Sequence, residues 1–454
     1  DKHYRPVSTE NKPEDINLKQ SHEQCKEGTS TVTEGQYKEA EVCMETAKQP
    51  YFLGIDLNER YAMISFYQLN MREPETVSMI AGSEIYQIPM VIGKKKNIGQ
   101  WYIGDEARKL AKTSDVVCID ELWRRTRNHD KIEIEGEEYQ AEDLFILYMK
   151  KLFLLPQKLG NPSYCDRLVV TMEHLDRECM DLLWMVSAKL NLKKEQFMVL
   201  DHKESFYYFA LNQKPELFFH DVVLFEYETE VMKSYRLERN VHTTPQLITI
   251  LESDGKSMEG DRDLEFIDIM QDTFGKHMIS SVYLVGDGFD GQWMKASLPV
   301  LCRGRRAFMG KNLFSKGACY AAAVGQMQED WPYIYMGENE MKFNLRVKVL
   351  HHGKMEFYDL ITAGKNWFEI RGECEVILSG SHEINFWKQL PHSREAKIET
   401  LELTDFPERP DRTTRLRIVA KPVSDEEVEI EIKDMGFGQI FRATDKAWKY
   451  KMSM

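Results

Sequence analysis

The sequence predicts an α/β region over residues 50–330 followed by an all-β sandwich over residues 331–454. In the first region, apolar strand-like segments alternate with amphipathic helices, which is typical of α/β layering. From Trp331 onward, short strand-like segments separated by Gly and Pro follow one another without a convincing helix, as in a β-sandwich. Residues 1–49 are rich in Lys, Glu, Gln, Ser and Thr, a composition that predicts a disordered polar tail.

Composition narrows the classes of partner. The chain has 454 residues, 42% of them hydrophobic, which is enough for two or three packed domains. Its formal net charge of −14 argues against a nucleic-acid partner and against binding to anionic membranes. No apolar run approaches the ~18–20 residues that a bilayer-spanning helix needs. The eight cysteines form no C-x-x-C or zinc-like pattern, so the sequence predicts a reducing, cytoplasmic location.

Hydrophobic periodicity places the individual elements of both regions. Strands of the α/β region are predicted at 51–56, 61–69, 90–93, 102–104, 167–172, 197–201, 220–227, 231–237 and 281–286. Helices are predicted at 105–112, from 141 onward, and at 176–190, 204–212, 264–274 and 316–325. Strands of the sandwich are predicted at 343–351, 355–361, 367–370, 374–378, 415–419 and 427–432.

The first candidate site is the hairpin turn that follows the opening strand. Asp56 ends this strand, and the turn runs from Asp56 through Asn58 to Arg60. Such a turn can present backbone N–H groups to a phosphate. The alternative is that the Asp56 carboxylate only accepts hydrogen bonds from the backbone of its own turn.

The second candidate site is the glycine-rich stretch at residues 286–291. Gly-Asp-Gly-Phe-Asp-Gly fits the dinucleotide pattern G-x-G-x-x-G and follows a strand, which predicts that it opens a helix. No acidic residue ends a strand about 20 residues later, where a ribose-binding carboxylate belongs. Gln292 and Trp293 occupy the Lys and Ser/Thr positions of a Walker A loop, so a P-loop is excluded. The alternative is a turn that needs glycine for its dihedral angles.

Two further clusters have ordinary interpretations. In Asp201-His202-Lys203-Glu204, we interpret Asp201 as the cap of the following helix and the next charges as its exposed first turn. His351 and His352 are adjacent on a predicted strand and point to opposite faces, so they do not form a metal site.

The order of several stretches resembles the nucleotide-binding domain of the heat-shock chaperones of the DnaK type, members of the actin superfamily. These stretches are Gly54-Ile55-Asp56-Leu57, Ile88 to Val91, Tyr102 to Ala107, the strand and helix from Arg167, Asp201 to Leu211, Val285 to Gly288 and Lys316 to Ala323. Tyr358 to Ile361, Phe406 to Pro410 and Ile432 to Gly438 resemble that family's peptide-holding β-sandwich. The resemblance covers residues 50–454 in the same order, and it implies a two-lobed actin-like ATPase fold followed by the sandwich.

The resemblance implies a cofactor, ATP or ADP with magnesium, and a set of binding residues. Asp56, Asn58, Gly286, Asp287 and Gly288 correspond to the nucleotide-binding loops. Asp56 would hold magnesium through water and, with Glu226 in place of the family's second Asp, would form the catalytic pair of an active enzyme. The β domain would bind a peptide or a partner protein.

This sequence differs from the family in the loops that bind phosphate. The second phosphate loop of the family is rich in glycine, whereas residues 226–231 here read Glu-Tyr-Glu-Thr-Glu-Val. Without glycine the backbone cannot approach a phosphate closely, and Glu228 or Glu230 would repel it. The family's catalytic lysine has no counterpart around residues 120–123. The sequence therefore predicts a chaperone-like pseudo-ATPase that binds or scaffolds proteins, with an active magnesium-dependent chaperone ATPase as the alternative.

Overall fold

The computed structural model describes residues 50–80, 82–113, 116–156, 165–327 and 330–454. The polar tail predicted at 1–49 lies outside these residues. Up to the end of the first sheet, the elements are β1 (Tyr51–Leu57), β2 (Tyr61–Gln68), β3 (Glu75–Thr76), β4 (Ile88–Pro89), β5 (Ile92–Lys95), β6 (Trp101–Ile103), α1 (Gly104–Thr113), β7 (Val116–Ile119), α2 (Leu122–Arg127), β8 (Lys131–Ile134), β9 (Glu137–Gln140), α3 (Ala141–Phe153), β10 (Arg167–Met172), α4 (Arg177–Lys189) and β11 (Phe197–Asp201).

The chain then builds a second sheet and its helices. These elements are α5 (His202–Leu211), β12 (Asp221–Glu228), β13 (Val231–Asn240), β14 (Gln246–Glu252), β15 (Lys256–Ser257), α6 (Arg262–Phe274), β16 (Ile279–Val285), α7 (Ser297–Leu301), β17 (Arg306–Met309), α8 (Leu313–Met327) and β18 (Tyr333–Tyr335). β18 pairs with β14, so the mixed α/β part continues a few residues beyond the change of character predicted at Trp331.

The two large sheets of this part share one strand order. In the first, β3, β2 and β1 are antiparallel neighbours, β10 lies parallel beside β1, and β11 lies parallel beside β10. In the second, β14, β13 and β12 are antiparallel, β16 lies parallel beside β12, and β17 lies parallel beside β16. The central strands β1 and β10 read as apolar runs because both of their faces are covered.

Helices α5 and α8 lie between the two sheets. α8 packs on the first sheet through alanines that contact Phe52 and Val169, while α5 packs on the second through Phe206 and Tyr207. The two helices contact each other where Gly317 of α8 faces α5. A Cβ at Gly317 would stand 2.1 Å from the carbonyl oxygen of Ser205, so only glycine fits there. Beside these two helices, a narrow space separates the carboxyl ends of β1 and β11 from the second sheet.

The C-terminal part is β-rich. Its strands are β19 (Asn344–His351), β20 (Lys354–Ile361), β21 (Gly372–Ile377), β22 (Glu383–Gln389), β23 (Lys397–Glu402), β24 (Arg415–Pro422), β25 (Glu427–Gly436) and β26 (Ala447–Ser453). They form two four-stranded antiparallel sheets, in the orders β20-β19-β22-β23 and β21-β24-β25-β26, which enclose one shared apolar core. The predicted sandwich strands are present except one.

The strand predicted at 367–370 is wrong, because those residues form a turn. Trp367 stacks on Phe368 with ring centroids 3.9 Å apart. Trp367 packs against the sandwich core and Phe368 against the core of the first sheet. The apolar run that resembles a strand in sequence therefore joins two cores. Among the described residues, no helix is long and apolar enough to cross a membrane.

Candidate functional site

A cavity of about 280 Å³ opens between the two large sheets, at the carboxyl ends of their strands. Both sheets contribute ionisable side chains to it, and these carry both signs of charge. The lining residues are Asn58, Glu59, Arg60, Glu173, His202, Glu226, Glu228, Thr229, Val231 and Lys233. We call this cavity the cleft. Asp56, Asn58 and Glu226, three of the residues predicted from sequence, lie in or directly behind it.

Asp56 and His202 form a buried pair at the base of the cleft. Asp56 is on β1 and His202 is the first residue of α5, and both side chains are almost inaccessible to solvent. The His202 Nε2 atom lies 2.7 Å from an Asp56 carboxylate oxygen. The imidazole also stacks on Phe314 of α8, with ring centroids 3.9 Å apart. The packing of two helices therefore fixes this ring against the carboxylate.

The charge of His202 is set by the carboxylates around it. Burial by itself lowers the pKa of the imidazole, but Asp56 and, further off, Glu226 and Glu173 outweigh that effect and raise the pKa to about 9. A raised pKa favours the imidazolium at neutral pH, with Nε2–H donated to Asp56, although the Nδ1 atom is buried without a hydrogen-bond partner among the described residues. A positive side chain thus occupies the space between the carboxylates of the first and second sheets.

Glu226 is the carboxylate of the second sheet that acts on this imidazolium. It lies on β12, and one of its oxygens accepts a hydrogen bond of 3.0 Å from the Tyr235 hydroxyl. Burial raises the pKa of Glu226, while His202 opposes this rise. The polar base of the cleft is therefore held together by Asp56, His202, Glu226 and Tyr235.

Two ion pairs join the sheets across the mouth of the cleft. Arg60, in the turn after β1, lies 2.6 Å from Glu228 at the end of β12. Lys233 of β13 pairs with Glu173, which directly follows β10. Each ion pair joins a residue on the side of the first sheet to a residue on the side of the second, so both pairs keep the cleft narrow.

The predicted loop residue Asn58 is engaged in its own turn. Its side-chain oxygen accepts hydrogen bonds from the backbone N–H groups of Arg60 and Tyr61, at 2.8 Å each. The turn of the second hairpin is closed by Thr229 and Glu230, both with positive φ although neither is glycine. The Asn58 side chain therefore already occupies backbone N–H groups that a phosphate would need in the first loop, and the second loop carries side chains in place of glycine.

The glycine-rich stretch lies beside the cleft and serves to accommodate Tyr227. A Cβ at Gly286 would stand 2.4 Å from the Tyr227 carbonyl oxygen, and a Cβ at Gly288 would stand 2.3 Å from the Tyr227 ring. The predicted helix directly after Gly286 is absent from the described residues, because Asp287–Phe289 form a single 3₁₀ turn and α7 begins only at Ser297. The dinucleotide fingerprint therefore lacks its structural context.

Asp287 is held by side chains rather than left free for a ligand. It accepts hydrogen bonds from Lys311 at 2.8 Å and from Gln87 at 3.2 Å. Partial burial raises the pKa of its carboxyl, but these two partners outweigh burial and bring the pKa below its usual value. Of the predicted cofactor residues, Asp56 and Asn58 are thus at the cleft, while residues 286–288 support its wall.

A second group of ligand-type atoms lies on the second sheet. Asp221, Glu238 and His277 bring carboxylate and imidazole atoms within 4.8 Å of one another. Arg236 stands 2.9 Å from Glu238 and 3.7 Å from Asp221, so a guanidinium already supplies the positive charge. We therefore interpret this group as an ion-pair network rather than as a metal site.

The sequence missed the cations of the cleft. Asp201 caps α5 as predicted, since it accepts a 2.7 Å hydrogen bond from the Glu204 N–H. The prediction of an exposed first turn is wrong, because His202 and Glu204 are buried. One sequence signal could have indicated the position of the cleft. Asp56 and Asp201 each lie at the end of a strand, and the carboxyl ends of parallel strands lie together at one edge of a sheet.

Comparison with known families divides the chain at the same point as the structure does. The model of the family of unknown function DUF5716, C-terminal part, matches residues 73–338, which is more than half of the chain. The chain belongs to the DUF5716 family. A domain of unknown function, DUF8552, matches residues 340–454, which hold the β-rich part of this DUF5716 protein. No curated protein matches the chain.

Proposed function

We propose that this DUF5716 protein is a binding or scaffold protein built on a degenerate actin- and chaperone-type nucleotide domain. The observation that carries the proposal is the composition of the cleft. His202, Arg60 and Lys233 pair with three of its carboxylates, Asp56, Glu228 and Glu173, and the pairs of Arg60 and Lys233 tie the sheets together across it. The protein's own cations thus stand in for the metal ion that a nucleotide site of this type would require.

The common order of the two sheets supports the actin-like part of the proposal. Each sheet has three antiparallel strands followed by two parallel ones, and α5 and α8 lie between them. This arrangement is expected of a two-lobed fold that binds its ligand between the lobes. Asp56 and Glu226 occupy equivalent places, β1 in the first sheet and β12 in the second, as the resemblance to the chaperone family requires.

The residues present do not fit a magnesium nucleotide. The cleft volume of about 280 Å³ lies at or below the range of typical ligand pockets, roughly 300–1,000 Å³. Glu173, Glu226 and Glu228 line it, and a triphosphate would meet their negative charge at short range. Tyr227 fills the space beside Gly286 and Gly288. We therefore derive no hydrolytic step. The placement of Asp56 and Glu226 would suit an active ATPase, but the other residues of the cleft argue against it.

Strand β20 offers a surface for the partner in the β domain. It is an edge strand that pairs only with β19 among the described residues, so its outer backbone groups are free to pair with another strand. Met355 and Phe357 are about half exposed on it, and Phe357 packs edge-on against Trp387. Tyr358 already bonds to the β21 backbone, so the open part is 354–357. An extended apolar peptide fits such an edge.

Peptide binding tests the proposed function. We expect a fluorescent extended peptide rich in Val and Leu to bind the full chain, as measured by fluorescence anisotropy. Phe357→Asp should weaken binding at least about tenfold, because exposed aromatic anchors dominate such interfaces. Magnesium with ATP should leave the affinity unchanged, because the cleft is closed by its own charges.

The matched control is Ile398→Asp. Ile398 is 59% exposed on β23, the opposite edge of the same sheet, so its replacement changes the charge of the sheet without touching β20. Equal loss in both variants would contradict binding at β20. A peptide affinity that responds to ATP would contradict the proposed function itself.

A further inference from the structure

Two buried carboxyl groups meet at the joint between the α/β part and the β-rich part. Glu204 lies in the first turn of α5, and Glu340 lies in the segment that leads from β18 to β19. The Glu340 side chain has no solvent-accessible surface, and Glu204 is 5% exposed. The first turn of α5 thus places His202 at the cleft and Glu204 at the contact with the β-rich part.

The two groups lie close enough for a hydrogen bond between them once one is protonated. As carboxylates, both are acceptors only. In that state one buried oxygen of Glu204 has no hydrogen-bond donor, and the buried Glu340 carboxylate has only the backbone N–H of Gly337 near it. A proton on either carboxyl turns the contact into a hydrogen bond, whereas ionisation of both places two negative charges in contact without solvent.

The neighbouring cations offset this contact only in part, because each is engaged elsewhere, and of these cations it is Lys342 that lowers the pKa of Glu340. His202 binds Asp56, Lys203 pairs with Glu252 and Glu338, and Lys342 pairs with Asp425. The other titratable groups around the pair are acidic or phenolic, namely Asp201, Glu369, Tyr207, Tyr208 and Tyr335. Asp201 is itself held by the Asn339 side chain at 2.8 Å and by the Glu204 N–H.

We propose that the joint is a proton-operated latch, in which Glu204 and Glu340 share one proton that holds the β-rich part against α5 and whose loss drives the two apart. The latch does not depend on what the cleft or β20 binds. It adds a pH response to a junction that also contains apolar packing, the Asn339–Asp201 hydrogen bond and the Lys203–Glu338 ion pair.

The sign of the pH response follows from the environment of the pair. Burial, together with the charge of Asp201, raises the pKa of Glu340 to about 8, and burial with the charge of Glu340 raises the pKa of Glu204 well above its usual value. Raised pKa values mean that the folded joint holds more protons than the separated parts do. Its stability is therefore complete below the ordinary glutamate range and is lost as the pH rises through about 8.

Hydrogen–deuterium exchange of the full chain tests the latch. The readout is the protection of peptides covering 202–211 and 336–344 between pH 6 and 10, corrected for the intrinsic pH dependence of exchange. In the wild type we expect the local opening constant to rise up to about tenfold per pH unit from pH 6 to about pH 8, because opening releases one proton in this range, and to level off above it. In Glu340→Gln this rise should disappear, because the amide keeps a donor facing Glu204 without ionising.

Two further variants keep the test decisive. Glu204→Gln should remove the same pH dependence if Glu340→Gln fails to fold. Glu338→Gln is the matched control, because Glu338 lies in the same segment with an 86% exposed side chain, and it should retain the wild-type response. Equal pH slopes in the wild type and in both latch variants would overturn the proposal, as would full protection of both segments up to pH 10.

Discussion

Replacing His202 with alanine is expected to lower the free energy of unfolding by about 3–5 kcal/mol, the typical cost of breaking a buried ion pair by removing one partner. Asp56 would lose the cation that lies 2.7 Å away, and Glu226 would lose its main opposing charge. Removal of the ring also leaves a void against Phe314. Urea denaturation of the full chain at pH 7, followed by circular dichroism, measures the change.

The pH dependence identifies the cause of that loss. The folded-state pKa of His202, about 9, lies above the ordinary value of 6.5, so its contribution is fully present below pH 6.5 and is lost as the pH rises through about 9. The difference between the wild type and His202→Ala should therefore shrink as the pH rises from about 6.5 to about 9 and stay small above that. His242→Ala, at an exposed loop position of the same part, is the control and should be near neutral. A constant difference across pH would indicate lost packing alone.

Replacing Asp434 with alanine is expected to cost a similar amount, about 3–5 kcal/mol. Asp434 of β25 and Arg409 form a buried bidentate pair with distances of 2.7 and 2.8 Å. The carboxylate also accepts hydrogen bonds from Thr444 and from the Gly436 N–H. The Asp434 carboxylate thereby ties the loop at 405–412 to the loop after β25. Removal of this side chain should loosen both loops. Thermal unfolding of the wild type and the variant measures the effect.

An exposed ion pair of the same part provides the control. Glu375 lies 2.8 Å from Arg417 on the outer face of the β21–β24 pair, and both are more than one third exposed. Glu375→Ala should cost much less than Asp434→Ala, because solvent screens an exposed ion pair. Arg409 and the other donors hold the pKa of Asp434 well below its usual range despite burial. Its contribution is therefore present above the ordinary aspartate pKa and is lost only in strong acid. Equal losses in the two variants would contradict a special role for Asp434.

The local periodicity of apolar residues was sufficient to predict most of the longer helices and strands. The strand at 197–201 and the helix at 264–274 were predicted from apolar periodicity, and the structure has β11 and α6 at these places. β22, β23 and β26 were missed, because polar or charged residues alternate with apolar ones along these strands and such short alternation is easily taken for loop sequence. The turn at 367–370 was mistaken for a strand because its apolar residues serve two cores rather than one sheet face.

The charges of the candidate site depend on contacts between distant residues. Asp56 and His202 are 146 residues apart, and Lys233 and Glu173 are 60 apart. The sequence showed that glycine is absent from 226–231, which predicted a poor phosphate site. It could not show that the first turn of α5 is buried, because that burial is created by Phe314 and by the first sheet. The same holds for Glu340, whose partner lies in another part of the chain.

Calorimetric titration of ATP and of ADP, each with magnesium, into the full chain tests the central claim most directly. If the cleft is closed by its own cations, binding should be weaker than about 100 μM, corresponding to less than about 5.5 kcal/mol. Binding tighter than this that disappears in Asp56→Asn would contradict the account, because it would show that the carboxylate at the base of the cleft serves a nucleotide site.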